Sequence, residues 1–122
     1  MGKIEQAQEI LEALGLPTAQ SNEISALTLL ALAGLSEETP WMNATAEKLR
    51  VHDILGEIKK RYGREYAENT RETIRRRVLH QFEQAGIAIH NADDPSRPTN
   101  SGLNNYMLSG ISLSVIRSYG TL

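Results

Sequence analysis

At 122 residues the chain fits one domain, because a single core usually covers about 100–200 residues, and a second complete catalytic unit would hardly fit. Hydrophobic residues at 40% and charged residues at 23% predict a folded chain, and the absence of cysteine excludes a disulfide framework, a thiolate metal site and a cysteine nucleophile, which points to a cytoplasmic setting. The formal charge of −2 argues weakly against a polyanion partner; the longest apolar run, Leu29 to Ala33, is far short of the roughly 20 residues that span a bilayer, and the opening residues show no signal-peptide core.

Ile4, Ala7, Leu11 and Leu14 recur at helical spacing, so Lys3 to Leu14 reads as an amphipathic helix stopped by Gly15 and Pro17. A second helix starts near Ser21 or Asn22, runs through Ala26, Leu27, Leu29, Leu30, Leu32 and Ala33, and stops at Gly34. It is apolar nearly all round, which predicts the central buried helix. Ser36 to Asn43 reads as a loop in which Trp41 plugs an edge of the core. Val51, Ile54, Leu55, Ile58 and Tyr62 mark a third helix ending at Gly63, with Lys59, Lys60 and Arg61 in its last turn, where cations suit the helix dipole.

Asn69-Thr70-Arg71-Glu72 has the pattern of a capping box and predicts a fourth helix running to about Ala85, stopped by Gly86. Beyond it, Ile87 with Ile89 and Tyr106 with Leu108 form short alternating stretches around a Pro, Gly and Asn rich segment, which predicts two strands joined by a long turn. Ile111 to Tyr119 reads as one more whole or partial helix, apolar at Ile111, Val115, Ile116 and Tyr119. The expected fold is therefore mainly α: a winged helix-turn-helix, a helical bundle with a C-terminal β-hairpin wing. Its parts are an N-terminal helix and linker (1–20), a helical core with the helix-turn-helix (21–86), the wing (87–110), and the start of a helix or linker toward a C-terminal domain (111–122).

Charge is unevenly spread. Residues 1–47 hold one base, Lys3, against seven acids, whereas residues 59–77 hold eight bases against three acids, so the second segment is where a polyanion would be drawn. On a straight helix, Ile74, Val78, Phe82 and Ala85 share the buried side, which turns Asn69, Thr73, Arg76 and His80 outward with Thr70, Arg77 and Gln84 on one flank. Arg pairs with guanine, Asn and Gln with adenine, and Thr meets the thymine methyl, so this face suits the major groove of double-stranded DNA, and no acid compensates it along the stripe. Arg71 and Arg75 lie nearer the buried side, facing phosphates or Glu65 and Glu68. Lys59, Lys60, Arg61 and Arg64 would neutralise phosphates. In the wing candidate, residues 93–100, Arg97 is held forward by Pro95 and Pro98 and would enter a minor groove or grip a phosphate; equally, it would pair with Asp93 or Asp94 in a plain polar turn.

Catalytic signals are weak. Glu57-Ile58-Lys59 matches half of a metal-dependent nuclease site, but it sits on a helix with no upstream strand carrying a partner Asp. His52, His80 and His90 have no ligand spacing, and no glycine motif cradles phosphate. No catalytic residue, metal ligand or cofactor is expected.

The stretches SALTLLALAGL, TPW, REYAENTRETIRRRVLHQFEQAGI and NADDPSRPTNS, with the closing IRSYGT, resemble the N-terminal part of the BsuBI/PstI family of type II restriction endonucleases. The resemblance runs from Glu23 to Thr121 and is most specific from Tyr66 to Ser101. It implies an N-terminal helix-turn-helix domain followed, in the parent protein, by a nuclease domain that cuts short palindromic DNA sites with magnesium. Thr70, Arg71, Thr73, Arg75 and Arg76 would belong to the DNA-reading helix and Arg97 to the wing. The sequence ends where that nuclease domain would begin, so the expectation is a DNA-docking part that does not itself cut. Two readings compete with it: a free-standing winged-helix transcription regulator, dimerising through its terminal helices, and a protein-interaction module whose basic helix grips an acidic partner. Homodimerisation stays open for the main reading too.

Overall fold

The molecule is built around one helix with almost no polar surface. In the structure, a computed structural model describing residues 2–119, α2 (Glu23–Ala33) is buried continuously from Ser25 to Ala33. Leu27, Leu29, Leu30 and Leu32 are each fully buried, and burial of one such side chain is worth about 1.5–3 kcal/mol. Asn22 caps this helix, its Oδ1 accepting the Ser25 N–H at 3.0 Å, and Thr28 donates its hydroxyl to the Ile24 carbonyl at 2.8 Å, so neither polar side chain is stranded. Gly34 ends the helix at φ +66°, and a side chain there would also meet Thr45 Oγ1 at 2.9 Å.

α1 (Lys3–Ala13) packs along α2 through Ala7, Ile10 and Leu11. Trp41 does close an edge of the core: its ring meets Tyr119 edge-on at 5.2 Å, and the Lys3 ammonium sits 4.4 Å from its centre. Burial pushes the Lys3 pKa down. α3 (Val51–Tyr62) buries Ile54 and Ile58 against α2 and ends at Gly63, φ +68°. At its start Asp53 accepts the Arg50 N–H at 2.9 Å and the Arg50 Nε–H at 3.2 Å; these bonds hold its carboxyl below the usual range.

α4 occupies residues 70–84 as one continuous helix with a π-helical stretch, Ile74–Leu79, between α-helical turns Thr70–Thr73 and His80–Gln84. The capping box expected at Asn69 and Glu72 does not form. Asn69 is already in helical backbone geometry, φ −66° and ψ −13°, its side chain makes no cap bond, and Glu72 is taken by arginines instead. The buried face also differs from a straight helical wheel. Ile74, Val78, Leu79 and Phe82 are buried, while Ala85, expected inside, is exposed. In a π turn the backbone hydrogen bonds span five residues rather than four, which brings Leu79 round toward the buried side of Ile74.

β1 (Ala88–His90) and β2 (Tyr106–Leu108) pair antiparallel, Ala88 opposite Leu108 and His90 opposite Tyr106. Leu49 adds a short third rung: its N–H donates to the Tyr106 carbonyl at 2.9 Å and it receives the Tyr106 N–H at 2.8 Å. This bridge, which the period of the sequence did not predict, ties the entry to α3 to the wing. Ile89 points outward rather than into the core; Ile87 and Ala88 take the inside. α5 (Gly110–Ser118) is capped by Ser109 and buries Ile116, but Ile111, expected on its apolar side, is 78% exposed. The end of the expected closing segment, Gly120 to Leu122, lies outside the described residues. Among the described residues no helix is long and apolar enough to cross a membrane.

Candidate nucleic-acid interface

α3, the connection 63–69 and α4 follow one another in the order of a helix-turn-helix, and the β-ribbon follows α4 in the place of a wing. Two grooves flank α4. One, of about 510 Å³, lies between its first half (Asn69, Arg71, Arg75), the start of α3 (Arg50, His52) and the wing. The other, of about 400 Å³, lies between its second half (Arg75, Arg76, His80, Glu83) and the ribbon residues His90 and Tyr106. Arg75 lines both. The π turn, whose backbone hydrogen bonds span five residues rather than four, widens α4 where Arg75, Arg76 and His80 together line the second groove.

The outward face carries acids as well as bases. Glu72 takes hydrogen bonds from Arg75 and from Arg76 Nε at 3.0 Å, all on its Oε1. The Arg75 bond first, and the Arg76 bond after it, lower the Glu72 pKa. The stripe is therefore not free of compensating acid, because Glu72 reaches it from one turn below. Arg71 pairs with Glu68 at 2.8 Å. Among the described residues Arg77 has no acidic partner, and Asn69, Thr73, Arg77, His80 and Gln84 are all exposed, with Thr70 half-buried.

The bases around the end of α3 are arranged differently. Lys59 pairs with Glu65 at 3.3 Å and Arg64 with Glu23 at 3.3 Å, while Lys60 has no acidic partner among the described residues. Arg61, expected to face phosphates, is mostly buried: it donates to Glu57 at 2.7 Å and to the Ser36 hydroxyl at 2.8 Å, which fixes α3 to the loop after α2. Glu57 is thereby used in packing. Among the described residues no three His, Asp or Glu side chains are grouped closely enough to hold a metal ion.

The wing is held by side chains. Arg97 grips Asp93 with both guanidinium nitrogens, at 3.1 and 2.8 Å, and also donates to Asn91 Oδ1 and the Leu103 carbonyl, each at 3.1 Å. Of the two sequence expectations for Arg97, the ion-paired turn is the one the geometry has; with a side chain 12% exposed, it is folded inward. These bonds, then that from Asn105, hold the Asp93 carboxyl far below the usual carboxylate range, and Lys48 lies 3.7 Å away. Asn91 is buried in a left-handed conformation, φ +52°; its Oδ1 also accepts the Asn105 N–H at 2.9 Å. Asn104 donates to the carbonyls of Pro98, Thr99 and Ser101, closing the tip.

The family model for the BsuBI/PstI restriction endonuclease HTH domain matches residues 1–122. The chain belongs to this family. It is 41% identical over 118 residues to the type II restriction enzyme BsuBI of Bacillus subtilis, covering 97% of this chain and 37% of that enzyme. A second relative, the type II restriction enzyme AplI of Arthrospira platensis, is 26% identical over 116 residues, covering 95% and 36% of the two chains. The SdaI restriction endonuclease structure superposes with a TM-score of 0.90 at 38% identity, covering 96% of this chain and 37% of that one. The chain thus spans a little over a third of the relatives it matches, and its winged-helix fold is that of the family.

Sequence reasoning missed Arg50 and His52, which the structure brings to the groove beside Asn69 and Arg71. The Leu49 bridge to Tyr106 ties this segment to the wing, and a single long-range rung leaves no periodic trace. Glu72 was visible but was read as a cap.

Proposed function

We propose that this chain is the sequence-specific, double-stranded DNA-binding part of a type II restriction endonuclease. The observation that carries the reading is the outward face of α4: Arg75, Arg76 and His80 stand beside grooves bounded by the start of α3 and by the wing, and Arg77 is exposed on the same helix. In this reading α4 lies in the major groove, with Asn69, Thr73, Arg76, Arg77 and His80 toward base edges and Thr70, Arg71 and Arg75 along the groove wall. Lys60, and with it Lys59 and Arg64 once freed from their exposed acid partners, would neutralise flanking phosphates. Arg97 would act indirectly, by keeping the wing in shape. Family membership supports the same reading, as do relatives named as restriction enzymes.

The relatives are nearly three times longer than the matched segment, so cleavage, and the magnesium it would use, belong in this proposal to a separate C-terminal nuclease domain. The test is fluorescence anisotropy with a duplex selected from a random-sequence pool, repeated over a range of salt. Affinity should fall steeply, with a log-log slope of about 0.9 per phosphate neutralised. A salt-independent affinity, or none for any duplex, refutes the reading.

A further inference from the structure

A carboxylate on a DNA-reading face is a liability unless it makes a contact that phosphate cannot offer. Glu72 is such a group. It is half-exposed on the first turn of α4, and its negative charge would repel an approaching backbone. Its two oxygens are used unequally. Oε1 receives Arg75 through Nε and Nη2 and Arg76 through Nε; among the described residues Oε2 has no partner. The two arginines are also unequal. Arg75 spends two nitrogens on the carboxylate, and its side chain is 45% exposed. Arg76 spends only Nε, its side chain is 72% exposed, and its terminal nitrogens carry no bond among the described residues. Arg75 therefore clamps Glu72, while Arg76 keeps a free two-pronged donor edge next to a free carboxylate oxygen.

That arrangement matches one base pair. In the major groove guanine offers the N7 and O6 acceptors that take a bidentate arginine, and the paired cytosine offers its N4 amino donor, which takes a carboxylate. We propose that Glu72 is a specificity-determining residue: Oε2 accepts from the cytosine amino group while Arg76 takes the guanine paired with it, and Arg75 positions Glu72. This rests on the major-groove reading of α4 and names the base pair that its first turns choose.

The experiment uses the whole chain as wild type, Glu72→Ala and Glu72→Gln, each checked by circular dichroism. The probes are the selected duplex, all of its single-base-pair variants, and a duplex in which each cytosine in turn is replaced by an analogue lacking the amino group. Wild type should disfavour the analogue by about tenfold at one C·G pair. Glu72→Ala should lose discrimination at that pair alone, becoming indifferent to the analogue there, and should bind unrelated duplexes somewhat more tightly because a negative charge has gone. Glu72→Gln should shift the preference toward A·T at the same pair, since an amide side chain suits adenine. If both variants raise affinity for every duplex by one factor with an unchanged base profile, Glu72 is only a charge brake and the proposal fails. Wild type indifferent to the analogue at every position overturns it as well, even if neither variant folds. Failure of wild type to bind any duplex is a separate result, which removes the DNA reading itself.

Discussion

The register of α4 decides which arginines reach the groove, and Leu79 is its most direct probe. In a straight α-helix Leu79 would sit at the margin of the buried face and Ala85 near its middle; with the π turn, Leu79 is fully buried with Ile74, Val78 and Phe82, and Ala85 is exposed. Leu79→Ala should therefore create a cavity beside Phe82 and cost about 2–5 kcal/mol. For a chain of this length, in which one kcal/mol moves the midpoint by about 4 °C, that is a fall in Tm of roughly 8–20 °C. Ala85→Glu, by contrast, should stay within about 0.5 kcal/mol, as surface changes do. Urea unfolding followed through Trp41 fluorescence, with thermal melts by circular dichroism, measures both. If Leu79→Ala costs less than about 0.5 kcal/mol while Ala85→Glu is severe, α4 has the straight register.

Three other outcomes are expected. Arg76→Ala should cost about 1–3 kcal/mol on the selected duplex and relax the choice at one G·C pair, and Arg75→Ala should disturb that same pair by releasing Glu72; affinities for matched and one-base-variant duplexes at one salt check this, and uniform weakening by Arg75→Ala would break the clamp. Because Arg97 holds the native Asp93 pKa below its unfolded value of about 3.9, the stability Asp93 contributes is complete above that value and is lost as pH falls through the native pKa. Asp93→Asn should thus lower the urea midpoint at pH 7 and flatten its decline below about pH 4; identical acid limbs would show that the ion pair is idle. With magnesium, the purified chain should leave plasmid DNA intact, and specific cleavage abolished by Glu57→Ala would overturn that expectation.

Much of the helical frame was legible because its signals are local. The stripe Ile54 and Ile58, the Asn22 cap and the stop at Gly34 all lie within a few residues of the element they define, and each stands where periodicity and cap chemistry put it. The buried character of α2 was equally plain. What escaped the sequence depends on distant partners. A π turn differs from an α turn by one residue in its hydrogen-bond repeat, and Ile74, Val78 and Phe82 fit both, so the burial of Leu79 and the exposure of Ala85 separate them. Arg97 was ambiguous between solvent and Asp93 because the Asn91 and Leu103 acceptors that settle its position come together only when the wing closes. The groove failed for the same reason: Arg50 and Arg71 are 21 positions apart in sequence, and the Leu49 rung unites them with the wing.

The wing is unlike an ordinary surface loop. Its ribbon has only three residue pairs, yet residues 91–105 beyond them are fastened by Asn91, Arg97, Asn104 and Asn105 through bonds that backbone pairing alone could not supply. Ordering one residue costs about 1–2 kcal/mol in conformational entropy, and a loop of this length would normally meet that cost each time it settled on a partner. Here the cost is met once, during folding. The polar residues that read as a plain turn in the sequence instead hold the wing in one shape, set before any partner arrives.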